Sequence, residues 1–361
     1  MRVDVITNLA EFQALEQSWN ECLAAMPGGN PFLCHQWLGA WWDIYGSGAE
    51  LMVLVVREGQ EILAAAPLFR TRQPYYGVPM DQILFVGTQT CDRLSFLDRG
   101  LDPEPLRALW RHLLALCKGR TLVRLEGVPQ DHPMLAASGG MSGVWAEEDS
   151  SHLPFIPVDR SWDEYRKGLT HKFRSEMRTR VKVFAGWGDW SLDTSRGGEV
   201  KHHLDDLVSV EGASAKQHAG AAFLTDRRNR EFMARLLVVT EPVEPVLLRL
   251  LVAGKLIAYV VGFIHGGVFC AYNTAYLPGY EKGSPGKWIM DRAVEFAFAE
   301  KLLEFDFLRG EFGYKERWQP QVRVSRRRVL FAVNPLGWAL RAAVFGARPR
   351  LKRLRRRSGR R

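Results

Sequence analysis

Residues 284–318 read SPGKWIMDRAVEFAFAEKLLEFDFLRGEFGYKERW. Ser284 suits the N-cap of a helix and Pro285 suits its first turn, and apolar residues then recur at helical spacing as far as Leu303. Residues 304–307 alternate polar and aromatic side chains, which is typical of a short strand. The stretch therefore predicts a helix that covers a sheet, followed by a strand of that sheet.

A strand–turn–strand pattern precedes this helix, and a similar pattern occurs in the first half of the chain. Apolar runs flank a glycine turn in 51–70 and again in 245–264, and 268–276 adds a third strand to the second hairpin. Helical spacing follows each pattern, in 104–117 and in 285–303, and a further strand comes after each helix. We therefore predict an α/β (α+β) fold of two tandem units with mixed, mainly antiparallel sheets flanked by helices.

The expected domain boundaries follow from this repeat and from the length of 361 residues, which exceeds what a single core usually fills. A stretch rich in Gly, Ser and acidic residues between the two patterns is typical of a linker. We expect an N-terminal unit at 1–135, a linker at 136–151, a C-terminal unit at 152–334 and a basic tail at 335–361. Inside the second unit, the spacing predicts helices at 162–169, 172–184, 202–216 and 226–239.

The net charge of +9 is concentrated at the C-terminus. Residues 348–361 carry nine Lys or Arg and no acid, which equals the net charge of the whole chain. An apolar segment at 335–347 precedes them, so the tail can contact an anionic membrane surface or RNA, or it can be a solvated extension. Specific DNA binding is not expected, because the rest of the chain is formally neutral.

The five cysteines have no CxxC spacing, and this predicts reduced thiols, no disulfide framework and no metal site. The N-terminus has no apolar signal-peptide region, and no apolar run reaches the length that a membrane helix needs. We expect a cytoplasmic protein, peripheral to the inner face of the membrane if the tail binds there.

A glycine-rich segment at the start of the 285–303 helix is the first candidate site. Gly283 and Gly286 allow a ligand to approach the backbone, Ser284 caps the helix, and Lys287 adds positive charge. The segment fits a pyrophosphate. An ordinary capped helix start is the alternative.

Two further clusters lie on the predicted strand and on the 202–216 helix. Asp306 and Arg309 can pair at the end of a strand, where the sites of α/β proteins gather, or can simply tie the strand to its loop. Glu211, Ser214 and His218 share one face if their helix continues, and with Lys216 they fit a substrate wall or a solvated helix face.

A basic helix at 172–182 contains five cations, including Arg174, and can hold phosphates of CoA, a nucleotide or tRNA. Ordinary solvation of these cations is the alternative. The sequence has no GxSxG, GxxxxGK[ST], HExxH or early GxGxxG motif, which argues against a hydrolase, an NTPase and a nicotinamide enzyme.

Taken together, these clusters resemble the BioF2-like, CelD-type acetyltransferase domain of the GNAT superfamily, which is related to FemAB-type transferases. The matching pieces, within 162–318, are Lys172-Phe-Arg174, Glu211-Gly-Ala-Ser-Ala-Lys216, Gly283-Ser-Pro-Gly286, Asp306-Phe-Leu-Arg-Gly310 and Tyr314-Lys315 with Trp318. Ala215 stands where the family often has tryptophan, which affects the shape of the acceptor pocket.

The resemblance implies two GNAT-like units and direct acyl transfer from acetyl-CoA, or another acyl-CoA, to an amine or hydroxyl of a small molecule or an envelope saccharide. It places the donor pyrophosphate at Gly283–Lys287, a base at Asp306 or Glu211, and the thiolate's proton donor at Tyr314. Arg309 and Lys315 then stabilise the oxyanion or the donor phosphates. The acceptor is expected to contact Ser214, Lys216, Arg174, Lys315 and Trp318.

Two other functions remain open on the sequence. One is FemAB-like aminoacyl transfer from a charged tRNA, which the basic helix and the basic tail favour. The other is a non-catalytic accessory role in polysaccharide biosynthesis.

Overall fold

The computed structural model describes residues 1–26, 28–100, 102–310 and 313–347. Within these ranges the strands are β1 (Asp4–Ile6), β2 (Glu50–Glu58), β3 (Glu61–Tyr75), β4 (Val78–Phe85), β5 (Leu97–Asp98), β6 (Thr121–Pro129), β7 (Val144–Pro157), β8 (Trp190–Arg196), β9 (Glu244–Val252), β10 (Lys255–His265), β11 (Val268–Tyr276), β12 (Glu304–Asp306) and β13 (Gln321–Phe331). Residues 348–361 of the predicted tail at 335–361 lie outside the described residues.

The helices of the described residues are α1 (Leu9–Gln13), α2 (Glu16–Ala25), α3 (His35–Tyr45), α4 (Glu104–Leu116), α5 (Pro133–Ala137), α6 (Trp162–Gly168), α7 (His171–Ala185), α8 (Leu204–Ala213), α9 (Ala215–His218), α10 (Arg227–Leu236), α11 (Pro285–Ala299) and α12 (Pro335–Arg341). Four 3₁₀ segments (Pro31–Leu33, Gly197–His203, Glu281–Gly283 and Lys315–Trp318) and a π-helical turn (Ala342–Ala347) complete the described elements. None of the helices in the described ranges has the length and apolarity of a membrane-spanning segment.

The chain divides into two compact units, here called unit 1 and unit 2. Unit 1 comprises the described residues of 1–27, 41–151 and 324–361, and unit 2 comprises 28–40 and the described residues of 152–323. Each unit has a mixed sheet with helices packed against it, so the predicted fold class is confirmed.

Unit 1 has the strand order β1-β2-β3-β4-β6-β13, with β5 paired to β3. All of these pairs are antiparallel except β4 and β6, which run parallel over residues 81–83 and 121–123. Helix α4 packs on β2 and β3 through an apolar face that includes Leu109 and Leu113. This arrangement follows from the helical spacing of 104–117 and the alternating burial of the strands.

Unit 2 has the order β12-β11-β10-β9-β8, and the last residues of β7 pair with β12. Strands β8 to β11 form an antiparallel meander, whereas β11 and β12 run parallel. Helices α11 and α8 both pack on this sheet. The core is aromatic, with Phe173, Phe184, Phe305 and Trp318 buried together with the apolar residues of α11.

Three parts of the chain differ from the sequence prediction in their assignment to a unit. Residues 324–334, predicted as the end of the C-terminal unit, belong to unit 1, where β13 pairs with β6. Segment 136–151 contains the end of α5 and the first half of β7, because its polar residues alternate with the buried Val144 and Ala146. Segment 28–40 belongs to unit 2, where Trp37 packs edge-to-face on Phe263 and Tyr272. Spacing along the chain does not report such packing between distant segments.

The predicted helix at 202–216 is divided in the structure. Residues 197–203 form a 3₁₀ segment, α8 ends at Ala213, and Ser214 is extended with φ −76° and ψ 165°. The Ser214 hydroxyl donates to the Glu211 carbonyl and accepts from the Lys216 amide, which starts the short helix α9. Glu211, Ser214 and His218 therefore do not share one continuous helix face.

Candidate functional site

A gap opens between β11 and β12 in unit 2. The two strands pair only over Val268–Cys270 and Glu304–Asp306, after which β11 continues to Tyr276. The chain leaves the β12 direction at Leu308, whose φ of +55° lies in the left-handed region. The Asp306 carboxylate accepts the Leu308 amide at 2.8 Å and stabilises this turn. The end of β11 is therefore left without a β12 residue beside it.

A cavity of about 410 Å³ lies at this end of β11. Its walls come from three parts of unit 2: the end of β11, the start of α11 with the segment before it, and α9 with the residue before it. Tyr314 completes the lining. The lining residues are Ser214, Ala215, Lys216, Thr274, Ala275, Tyr276, Glu281, Ser284, Gly286, Lys287 and Tyr314.

The start of α11 forms one wall of the cavity. Ser284 occupies the N-cap position in the left-handed region, with φ +47°, and its side chain makes no capping hydrogen bond, contrary to the role expected for it. A Cβ atom at Gly286 would lie 2.9 Å from the Tyr276 ring, so glycine lets this ring pack against the helix start. The first turn contains Lys287 and no acid. Such a helix start favours an anion.

Gly283 has a different role from the predicted contact with a ligand. A Cβ atom at this position would meet the Trp187 and Phe184 rings at 2.6 and 2.7 Å, and Gly283 is not among the lining residues. The glycine therefore allows two aromatic rings to pack on the backbone. Gly286, not Gly283, is the glycine at the cavity wall.

A buried hydrogen-bond network lies behind the opposite wall. Glu211 is fully buried, and its two carboxylate oxygens accept from the Leu224 amide at 2.6 Å and from the Asn273 side chain at 2.8 Å. The Tyr259 hydroxyl donates to the Asn273 side-chain oxygen at 2.7 Å. Burial and the neighbouring Glu211 charge raise the pKa of Tyr259 well above its usual value. The network fixes the Glu211 carboxylate without exposing it to the cavity.

Lys216 connects this network to the cavity. Its ammonium nitrogen lies 3.9 Å from the nearer Glu211 oxygen, and its side chain lines the cavity with 39% of its surface exposed. Burial lowers the pKa of Lys216, and the Glu211 charge opposes this shift. A lysine with a lowered pKa is a better proton acceptor near neutral pH than an ordinary lysine.

Tyr314 reaches the cavity from a tightly anchored loop. The buried ammonium group of Lys315 donates to the carbonyls of Phe307, Leu308 and Arg309 at 3.0, 3.0 and 3.1 Å. Lys315 therefore holds the loop in place and does not line the cavity, so the structure gives no support to its predicted contact with phosphate or oxyanion. Tyr314 itself packs edge-on against Trp318.

The remaining predicted residues lie away from the cavity lining. Asp306 is fully buried and has Arg323, at 3.5 Å, as its ion partner. Trp318 is buried in the core, where its ring packs edge-on against Phe173. Its indole nitrogen donates a hydrogen bond to Asp291 at 3.2 Å. Arg174 is on α7 and, like Arg309, is not a lining residue.

The sequence reasoning missed the buried partners of the site. Asn273 and Tyr259 lie on strands whose residues are mainly apolar, and an amide in such a strand is the signal that could have indicated a buried network. Their partner Glu211 is distant in sequence, so spacing alone could not pair them. Among the described residues, no group of His, Cys, Asp or Glu side chains is arranged to hold a metal ion.

One comparison with known proteins covers the part of the chain that forms the cavity. Residues 171–316 match the family model described as acetyltransferase (GNAT) domain, and this range lies within unit 2. No curated protein matches the chain. This part of the chain is therefore similar to a GNAT acetyltransferase domain, and it includes the residues that line the cavity.

Solved structures are similar over nearly the whole length. FemX gives a TM-score of 0.62 at 12% identity, over 95% of this chain and 100% of that chain. A conserved protein of unknown function from Bacteroides thetaiotaomicron gives 0.57 at 14%, over 91% and 100%. L-PGS from Bacillus licheniformis gives 0.55 at 11%, over 94% and 97%. At these identities the likeness shows a shared fold and no more.

Proposed function

We propose that this protein transfers an acyl group directly from an acyl-CoA thioester, with acetyl-CoA as the simplest donor, to an amine or hydroxyl. The observation that carries the proposal is the single cavity that combines an unblocked helix start, Lys287, Lys216 and Tyr314. The helix start and Lys287 suit the donor pyrophosphate, because amide groups and an ammonium both attract its charge. The other two groups can move protons.

In this mechanism Lys216, in its neutral form, takes the proton of the acceptor while the acceptor nitrogen or oxygen attacks the thioester carbonyl. The carbon–sulfur bond then breaks, and the CoA thiolate takes the hydroxyl proton of Tyr314. Glu211 positions Lys216 and does not act as the base, because both its oxygens already accept hydrogen bonds inside the protein. Asp306, the other predicted base, has a structural role at the end of β12.

The acceptor binds in the part of the cavity next to Lys216. Ser214 and Thr274 border this region, although the Thr274 hydroxyl already donates to the Tyr259 carbonyl. We propose an amine or hydroxyl on a small molecule or an envelope saccharide, in line with the resemblance to BioF2-like and CelD-type domains. Because CoA thioesters are cytoplasmic metabolites, we place the reaction in the cytoplasm.

Calorimetric titration with acetyl-CoA tests the donor. Lys287→Ala should raise the dissociation constant roughly tenfold, as expected for loss of one charge-assisted contact. Lys282→Ala is the matched control, because Lys282 flanks the same helix start but does not line the cavity. Equal effects of the two substitutions would exclude the proposed position of the pyrophosphate. Absence of binding by the unmodified protein would exclude acetyl-CoA as donor.

A second candidate is aminoacyl transfer from a charged tRNA, which the full-length fold similarity to FemX favours. The same cavity would then take the aminoacyl ester, and helix α7 would offer cations to the RNA. However, Arg180 of this helix is held by Glu176 and the Lys282 carbonyl. If this candidate is right, RNase treatment abolishes the activity of the protein in cell extract, and added acyl-CoA does not restore it.

A further inference from the structure

The C-terminal helix α12 of unit 1 carries apolar residues on both sides, with Arg341 as its one charged residue. Its inner side carries Gly337 and Leu340, which are buried, and Leu340 belongs to a core cluster with Tyr75 and Phe331. Its outer side carries Trp338, with 53% of its surface exposed, and the exposed Ala339. Exposed apolar side chains that lie together on one surface mark a site of contact with a protein or a membrane.

The residues next to this helix extend the exposed apolar surface. Val333, just before the helix, is 69% exposed, and Pro335 and Ala342 are also exposed. We call Val333, Pro335, Trp338, Ala339 and Ala342 the outer face. A tryptophan and a valine in one short segment expose apolar surface to water. Removing this surface from water would be favourable.

The helix is firmly held, so the outer face is a fixed feature of unit 1. The Asn334 side chain accepts the Gly337 amide at 2.9 Å and donates to the Gly119 carbonyl at 2.8 Å. Arg341 donates to the Trp145 carbonyl at 2.6 Å. A Cβ atom at Gly337 would lie 2.0 Å from the Ala332 carbonyl oxygen, so this glycine allows the close approach of helix and strand.

The charge of the sequence around the outer face indicates its partner. From Gln321 to the C-terminus the chain has no Asp or Glu, and residues 348–361 carry nine Lys or Arg. Each cation near an anionic lipid surface contributes on the order of 1 kcal/mol, and tryptophan favours the interface between water and lipid. Stable peripheral binding generally needs two signals of this kind together.

We propose that the outer face and the basic residues 348–361 dock this protein on an anionic lipid surface. Trp338 and Val333 enter the interfacial layer, and the cations contact the lipid headgroups. RNA is the less favourable partner, because the apolar side chains beside Trp338 offer no hydrogen bonds to nucleotides. The proposal goes beyond the transfer reaction and is independent of its donor.

Co-sedimentation of the full chain with vesicles tests the proposal. The protein should bind vesicles of phosphatidylglycerol and phosphatidylcholine, bind poorly to phosphatidylcholine alone, and dissociate at high salt. Trp338→Ser should lower the partition coefficient roughly tenfold, because less apolar area is then removed from water. A chain that ends at Ala347 should lose most of the binding.

Leu303→Ser is the matched control, since Leu303 is a 66% exposed side chain of unit 2 outside the outer face. It should leave vesicle binding unchanged, and all variants should keep the melting temperature of the unmodified protein. No preference for anionic vesicles would overturn the proposal, as would equal losses for Trp338→Ser and Leu303→Ser. Tighter binding to single-stranded RNA than to anionic vesicles would also overturn it and indicate RNA as the partner.

Discussion

Unit 1 and unit 2 repeat the same order of elements but differ at the start of the helix. In each unit, a hairpin is followed by a third strand, a helix and a strand that runs parallel to the third. In each unit, that parallel pairing covers only three residue pairs, in 81–83 with 121–123 and in 268–270 with 304–306. The architecture alone therefore does not decide where a ligand binds.

The first turn of the helix makes the difference. In unit 1, the Asp102 carboxylate accepts the Glu104 amide at 2.9 Å, so the protein itself supplies an anion at the start of α4. Glu104 adds a second negative charge and pairs with Arg111. In unit 2, α11 starts without a side-chain cap, and Lys287 follows Gly286. We infer that unit 2 can take an anionic donor at its helix start, whereas unit 1 has already filled the equivalent position.

The strand that follows the helix also differs between the two units, in its length. β6 of unit 1 has nine residues, and β13 pairs with its far side. β12 of unit 2 has three residues, and a loop held by Lys315 replaces the continuation. In unit 2, the cavity thus lies where a short strand and a helix start without a side-chain cap occur together.

Gly286→Glu should have the largest effect, because it gives α11 the acidic first turn of α4. The new Cβ lies 2.9 Å from the Tyr276 ring, and the carboxylate repels the donor phosphates. We expect acetyl-CoA affinity to fall roughly a thousandfold in calorimetry. Gly168→Glu adds the same charge at an exposed position with open space around it and should leave affinity unchanged. Retained affinity in Gly286→Glu would refute the inference from the helix starts.

Lys216→Met should reduce kcat roughly a hundredfold, within the range of general base catalysis. Burial lowers the pKa of Lys216, and only its neutral form accepts a proton. The rate of the unmodified enzyme should therefore rise with pH as Lys216 deprotonates, with a midpoint below the usual lysine value. This rising limb should be missing from the pH–rate profile of Lys216→Met.

The Lys216→Arg variant distinguishes a role of Lys216 in proton transfer from a role of its positive charge. Arginine keeps the positive charge but does not deprotonate in this pH range. It should therefore be as inactive as the methionine variant. Recovery of activity by arginine would show that Lys216 acts through its charge, and the base would have to be another group.

The sequence predicted the fold class and several residues that line one cavity, because these depend on local pattern. The hairpins, α11 and the short strand β12 all follow from spacing and turn residues, and Gly286, Lys287, Lys216 and Tyr314 do line one cavity. The roles of charged residues were harder to predict, since they depend on packing between distant segments. Asp306 and Lys315 carry the chemistry of catalytic residues, yet burial and backbone partners make them structural.

Lys315→Met tests whether the loop after β12 is held by its buried ammonium group. Three backbone carbonyls lose their donor, so the free energy of unfolding should fall by about 2 kcal/mol in urea titration. Lys118→Met, at an exposed position of unit 1, should leave stability unchanged. If the two variants are equally stable, the loop has other supports, and the contrast between β6 and β12 loses its basis.

Glu176→Gln should have the smallest effect and tests a second support of the same loop. Arg317, from the segment after Tyr314, donates a hydrogen bond to Glu176 at 2.5 Å and lowers the pKa of this carboxyl to about 2. Burial opposes this shift, and Arg180 adds to it. The folded-state pKa is depressed, so the stabilisation is complete above the unfolded value near 4.5 and is lost as the pH falls towards 2. Allowing for solvent screening, we expect the substitution to cost about 1 kcal/mol at neutral pH. In urea titrations, the free energies of unfolding of the unmodified protein and of Glu176→Gln should converge as the pH falls from 4.5 to 2. Glu231→Gln is the control, because it breaks an exposed pair with Arg227, and its free energy of unfolding should equal that of the unmodified protein at every pH.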